Sequence, residues 1–274
     1  MNINVLLILK SVILGIVEGF TEFLPISSTG HMIIIGHFLN FEGAFADLFE
    51  IVIQLGAILA IIVLFRDKII ESLKNLSPGG FGFKLWTSIA IAFVPSGIIG
   101  LLLHKKIEAL LMFPLPVAGS LFVGGLWMIY AENKYRKNNK ITKIEDVGYK
   151  EALIIGIFQC LSIVWPGFSR SASTIIGGWI VGLSTVAAAE FSFFLAIPTM
   201  IIATGYSLIK ASVHLTGIEI LSLIVGFVVS FIVALIVVEK FIGFLKTKPM
   251  RGFAIYRLIL GVVVVGLYFM NVVR

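Results

Sequence analysis

The sequence predicts an all-α integral membrane protein: six transmembrane helices plus two re-entrant broken-helix hairpins, related as an inverted-topology repeat within a single membrane domain, 1–274. Three observations carry that reading. Hydrophobic residues are 59% and charged residues 13% of the chain, with a mean hydropathy of +1.08, whereas soluble domains carry about 25% charge. Apolar stretches long enough to cross about 30 Å of hydrocarbon recur along the whole chain. A shift of 141 residues, which carries Pro25 onto Pro166, superposes the two apolar regions that are interrupted by proline and serine.

The first of these regions, 5–41, breaks near its middle. Pro25 cannot continue a helix and pushes Leu24 toward extended geometry, while Ser28 and Thr29 are good N-caps for a second helix whose first turn would hold His31. The region is expected to enter the membrane and turn back, which is allowed only where protein or a wet cavity receives the exposed backbone. It is expected to be structural rather than a cleaved leader, because apolar segments continue to the C-terminal end. Spans follow at 45–65, 85–103 and 115–131, the last of them short. The second broken region, 151–186, contains Pro166-Gly167-Phe168-Ser169-Arg170-Ser171-Ala172-Ser173-Thr174, and spans at 187–209, 218–238 and 255–273 complete the chain.

The same shift pairs Gly15 with Gly156, Ser28 with Ser169 and Gly36 with Gly177, and one residue of slip brings Glu50 onto Glu190. The repeats cover approximately 1–131 and 150–274. Loops 66–84, 132–150 and 239–254 hold fourteen Lys and Arg, against three in 104–114 and 210–217, namely Lys105, Lys106 and Lys210. If each broken region returns to its own side, the rich loops share one face, which the positive-inside rule makes cytoplasmic, with both termini outside. The formal charge of +6 is thus a topology signal, and a nucleic-acid partner is not expected. The hairpins then enter from opposite sides, and repeats of that kind place a site near the midplane. A single cysteine, Cys160, excludes an internal disulfide and a thiolate metal cluster.

The chemistry concentrates in the breaks. Residues 18–31 read Glu-Gly-Phe-Thr-Glu-Phe-Leu-Pro-Ile-Ser-Ser-Thr-Gly-His, and charged groups at membrane depth are rare without a use. Glu18 and Glu22 share a helix face, so a cation, a basic side chain or a retained proton must relieve their repulsion. The helix that begins after the break turns its positive end toward any phosphate held there. In the second break, Arg170 offers five donors in a planar fork suited to phosphate oxygens. The polar groups could instead satisfy one another in a plain helix hairpin, with Arg170 neutralising Glu18 or Glu22.

The runs at 18–31 and Pro-Gly-Phe-Ser-Arg-Ser at 166–171 resemble the two signature motifs of the undecaprenyl-diphosphate phosphatases, the bacterial family associated with bacitracin resistance. Phe49-Glu50 to Gln54, Glu190 to Phe193, chain length and hydropathy are similar as well, with no departure at the motif positions. The resemblance implies hydrolysis of undecaprenyl diphosphate to undecaprenyl phosphate and inorganic phosphate, which recycles the lipid carrier of cell-wall synthesis. It also implies a divalent cation, Mg2+ or Ca2+, and a multi-pass place in the bacterial plasma membrane with the active site open to the outer face. By likeness Glu18 and Glu22 correspond to the acidic motif, Ser28 and His31 to its serine and histidine, and Arg170 to its phosphate-binding arginine. Substrate and membrane lipids are the expected partners; oligomeric state, a homo-oligomer included, is open.

The residues agree with that chemistry. Phosphoryl transfer depends on positioning and on offsetting negative charge. Glu18 suits a metal ligand and Glu22 a ligand or general base, since hard cations prefer oxygen. Ser28 is the candidate nucleophile with His31 as proton shuttle, direct attack by water being the alternative. Ser27, Thr29, Ser169, Ser171 and Thr174 are candidate phosphate donors, or ordinary caps. His37, His104 and His214 have no acidic or His neighbour at metal-ligand spacing, while Glu50, Gln54 and Glu190 either support the site or hold the repeats together. A transporter or flippase shares the architecture but has no use for Ser28 and His31 beside a carboxylate pair. The other large class of membrane lipid phosphatases is disfavoured because Ile98, not His, follows Pro95-Ser96-Gly97.

Overall fold

The computed structural model describes residues 3–111, 113–210 and 214–273, with the side chains of these except 3 and 104–111, so the side chains of His104, Lys105 and Lys106 lie outside the description. The chain runs through α1 (Ile3–Thr21), α2 (Ser28–Phe38), α3 (Ala44–Leu64), α4 (Arg66–Lys74), α5 (Phe81–Leu111), α6 (Pro114–Tyr135), α7 (Tyr149–Val164), α8 (Arg170–Ile180), α9 (Thr185–Lys210), α10 (Gly217–Thr247) and α11 (Arg251–Phe269). Seven of these helices are long and apolar enough to cross a membrane: α1, α3, α5, α6, α9, α10 and α11. Six are the spans expected from hydropathy. The seventh, α1, is the first arm of the first broken region, and its 19 residues outrun the 11 of α2. Lys10 Nζ donates to the Asn40 carbonyl at 3.1 Å, so the part of α1 that flanks α2 begins about there.

Both breaks are built the same way. α1 ends at Thr21 and α7 at Val164, four and two residues ahead of Pro25 and Pro166, whose missing N–H and fixed φ end the ladder. Ser27 then caps α2, accepting from the Gly30 N–H at 3.2 Å, and Ser169 caps α8, accepting from the Ala172 N–H at 3.3 Å. The two serines share a left-handed φ, 72° and 71°, a strain of about 1–3 kcal/mol each that surrounding contacts must hold. Helix α2 thus starts at Ser28, as expected, with its cap one residue ahead of the expected Ser28 or Thr29, and the cap serines are related by 142 rather than 141 residues, because Gly167-Phe168 stand where the first break has only Ile26.

α1 and α3 pack along α10, α7 packs along α5, α8 lies between α6, α7 and α9, and α6 pairs with α11. The closest crossings use small residues. A Cβ on Gly15 would stand 2.7 Å from the Gly226 carbonyl oxygen, and one on Gly156 would collide with that of Ala92. The core is thick with aromatics: Phe23, Phe49, Phe168, Phe191, Phe193, Phe194 and Trp179 are fully buried.

The three loops rich in Lys and Arg meet at one end of the bundle. Lys68 reaches Glu145 at 3.2 Å and Glu190 at 3.0 Å, Arg136 Nη2 donates to the Lys248 carbonyl at 2.9 Å, and Ile141 bridges Leu183. Glu190 therefore holds elements together at that end. Burial opposes the Lys68 charge, but Glu190 and Glu145 outweigh it and hold the amine above its ordinary value.

Candidate active site

The two breaks face each other across a cavity of about 180 Å³ lined by Glu22, Ser27, Ser28, Thr29, Gln54, Ser162, Gly167, Ser169, Arg170 and Met200. Residues 148 positions apart thereby become neighbours. Ser28 Oγ donates to Glu22 Oε2 at 2.6 Å, and Arg170 Nη2 stands 3.5 Å from Glu22 Oε1. Arg170 is held from behind, its Nη1 donating to the Ser192 carbonyl at 3.0 Å and its guanidinium lying 5.6 Å from the Phe23 ring centre. Its Nε has no partner. The cavity is also lined by the first residues of α2 and α8, so two helix N-termini with their orphan N–H groups converge on it.

Six of the ten expected site residues line this cavity: Glu22, Ser27, Ser28, Thr29, Ser169 and Arg170. The other four surround it. Glu18 is 1% exposed, one turn behind Glu22, with Oε1 unpartnered. Ser171 Oγ donates to the Phe23 carbonyl at 2.8 Å, tying the second break to the first. Thr174 Oγ1 donates to the Arg170 carbonyl at 2.9 Å and meets Ser192 Oγ at 2.7 Å. These hydroxyls brace the site rather than face it. His31 turns away, toward a separate apolar groove that it lines with Tyr256. Its Nδ1 donates to the Ser27 carbonyl at 2.7 Å, which leaves Nε2 to accept from the Tyr256 hydroxyl at 2.7 Å. The group that accepts the Ser28 hydroxyl's hydrogen bond is Glu22.

The chain matches the family described as bacitracin resistance protein BacA over residues 11–263. It belongs to that family. Within the BacA family, its similar relatives include the protein named undecaprenyl-diphosphatase 2 of Clostridium acetobutylicum, 53% identical over the whole of both chains. Proteins named undecaprenyl-diphosphatase in Clostridium tetani and Caldanaerobacter subterraneus are 51% and 53% identical, each alignment covering 98% of this chain and 99% and 98% of theirs.

For this BacA-family chain, no group of three or more His, Cys, Asp or Glu able to hold a metal occurs among the described residues. A weaker donor set does fit a cation: Glu22 in the cavity, and Glu18 beside it with a buried carboxylate oxygen lacking any partner. Oxygen donors of this kind suit Mg2+ or Ca2+, which fill the rest of their shell from substrate and water.

Several participants carry no motif signal. Ser162 and Met200 line the cavity and Ser192 seats Arg170, yet hydropathy alone makes them span residues. Gln54 proves to be a cavity residue. Arg257, fully buried beneath the breaks, was missed in the sequence; a charged residue inside the last apolar span is the signal that could have found it. His37, without a partner at ligand spacing in the sequence, meets Glu42 at 3.1 Å near the surface.

Proposed function

We propose that the protein is a membrane phosphatase that hydrolyses undecaprenyl diphosphate to undecaprenyl phosphate and inorganic phosphate, returning the lipid carrier to cell-wall synthesis. The observation that carries this reading is the continuous contact Ser28–Glu22–Arg170 across two chain breaks. A nucleophile, a proton acceptor and a cation stand within one cavity too small for a prenyl chain and suited to its headgroup.

Arg170 and the N–H groups at the starts of α2 and α8 hold the phosphate oxygens. Glu22 takes the Ser28 proton as Oγ attacks the terminal phosphorus, the bond from that phosphorus to the bridging oxygen breaks, and Glu22 passes the proton to the departing phosphate oxygen, leaving undecaprenyl phosphate, a phosphoserine and a free carboxylate. Water, deprotonated by the same carboxylate, then cleaves the Ser28 ester and frees inorganic phosphate. A hard divalent cation held by Glu18 and Glu22 would offset phosphate charge. Ser27, Thr29 and Ser169 present donors to the headgroup, while His31 fixes the Ser27 carbonyl and with it the start of α2.

The topology we propose has six crossing helices, α3, α5, α6, α9, α10 and α11, and two re-entrant hairpins, α1–α2 and α7–α8. They are related by inverted repeats covering approximately 1–131 and 150–274. Three observations support it: matching cap geometry at Ser27 and Ser169, the Gly15 and Gly156 close approaches, and the exchange of partners in which α1 packs on α10 and α7 on α5. The loops rich in Lys and Arg face the cytoplasm, and the active site opens to the outer face. Phosphate release by purified protein in detergent, with and without chelator, tests the function; a transporter without hydrolase activity would release none. Cysteine accessibility at Lys248 and Asn40 in intact cells tests the orientation, with Asn40 outside and Lys248 inside.

A further inference from the structure

Arg257 sits in α11 with no exposed surface, and among the described residues no carboxylate forms an ion pair with it. Its guanidinium donates instead to three backbone carbonyls: Nη1 to Pro25 at 3.4 Å, and Nη2 to Ser120 at 3.3 Å and to Gly167 at 3.4 Å. The Phe168 ring centre is 5.5 Å away. Pro25 precedes Ser28 by three residues, and Gly167 precedes Arg170 by three. One rigid fork therefore holds both breaks at matching points. A buried cation without a counter-ion is expensive at this depth, and a neutral apolar side chain would fill the space at lower cost. What such a side chain could not do is bridge two backbone segments that lack a regular ladder of their own.

We propose that Arg257 is the positioning residue that sets Ser28 and Glu22 in register with Arg170 for diphosphate cleavage, an inference that rests on the function proposed above. Arg257 does not line the cavity; Gly167, whose carbonyl it holds, does. Arg170 keeps its own hold on Ser192, so loss of Arg257 leaves the phosphate grip and disturbs the alignment of hydroxyl and phosphorus. Gly124 on α6 offers an independent handle, because a Cβ there would collide with Arg257 Nη2. Alanine at 124 favours the helix and keeps the arginine, yet displaces the end of its side chain.

The experiment measures kcat and KM for prenyl diphosphate hydrolysis by the purified full chain, per folded molecule, for the wild type, Arg257→Met, Arg257→Lys, Arg257→Ala and Gly124→Ala. Folded protein is counted by size exclusion and thermal midpoint. The expected result is a kcat loss of about 100-fold in Arg257→Met and about 10-fold in Gly124→Ala, a misplacement near 1 Å being worth about 100-fold. KM should move far less than kcat, as for an interaction that matters at the transition state. Arg257→Lys recovers little, since one ammonium cannot span both carbonyls, and added methylguanidinium raises the turnover of Arg257→Ala. Folded Arg257→Met and Gly124→Ala with kcat near the wild-type value would overturn the inference, as would losses that only track the folded fraction. Should Arg257→Met not fold, Gly124→Ala decides alone. If the wild type releases phosphate and these variants do too, only this inference fails; a wild type that releases none removes the proposed function with it.

Discussion

The two chain breaks are close copies in backbone and opposites in chemistry. Each has a proline, a left-handed serine that accepts from the N–H three residues on, and a helix of 11 residues. At the first helical position, however, the first break carries Ser28 and the second carries Arg170. The guanidinium thereby stands opposite the hydroxyl, with Glu22 between them. The two breaks thus supply two converging helix N-termini, one opening on a hydroxyl and the other on a guanidinium.

The largest test of that division is removal of either partner. Arg170→Ala and Glu22→Ala should each lower phosphate release by about 1000-fold or more, the range for losing a cation or a proton acceptor in phosphoryl transfer, with membrane insertion intact. Unchanged release by both purified variants would contradict the site. Ser28→Ala should fall by a similar factor and leave no acid-stable phosphoserine; substantial residual turnover would transfer the attack to water. His31→Ala should lose only about 10-fold, less than a general acid–base group contributes, because its ring faces Tyr256 rather than the cavity. A loss equal to that of Glu22→Ala would restore His31 as a shuttle. Ser27→Ala and Ser169→Ala sharpen the likeness instead of the difference: each should cost about 1 kcal/mol of stability through the lost cap, read as matched drops in thermal midpoint. Unequal drops would show that the two breaks are not equivalent scaffolds.

The smallest effect lies away from the breaks. The Lys68 amine is held above its ordinary value by Glu190 and Glu145 against the opposing effect of burial. For a lysine with a raised folded-state value, the added stability is complete below its unfolded value, about 10.4, and is lost as pH rises through the folded one. The difference in thermal midpoint between wild type and Lys68→Met should therefore be constant from neutral pH to about 9 and shrink only above about 10.4. A difference that shrinks at lower pH would show the triad does not hold.

Much of this was legible along the chain, for reasons local to it. Pro25 and Pro166 announce their breaks because a missing N–H needs no tertiary partner to act, and the helix after the first begins at Ser28, where its residues place it. Hydropathy marked six spans but divided α1 from them, since Glu18 and the break at its end read as one interrupted region; the turn at Asn40 beside Lys10 shows how far the two arms really run together. Sequence shift paired Ser28 with Ser169, whereas cap geometry pairs Ser27 with Ser169, a one-residue change that identity matching in an apolar chain could not resolve.

Composition and local stereochemistry by themselves determined a helical membrane protein, two breaks, and an inventory of carboxylates, hydroxyls and guanidinium, because each of these follows from residues near one another in the chain. The tertiary structure alone decided that Arg170 meets Glu22, that His31 turns to Tyr256, that the Ser171 hydroxyl reaches the Phe23 carbonyl, and that Arg257 joins the two breaks. Those choices depend on which helices cross and at what depth, and that is set by close packing between segments more than a hundred residues apart, which no periodicity along the chain records.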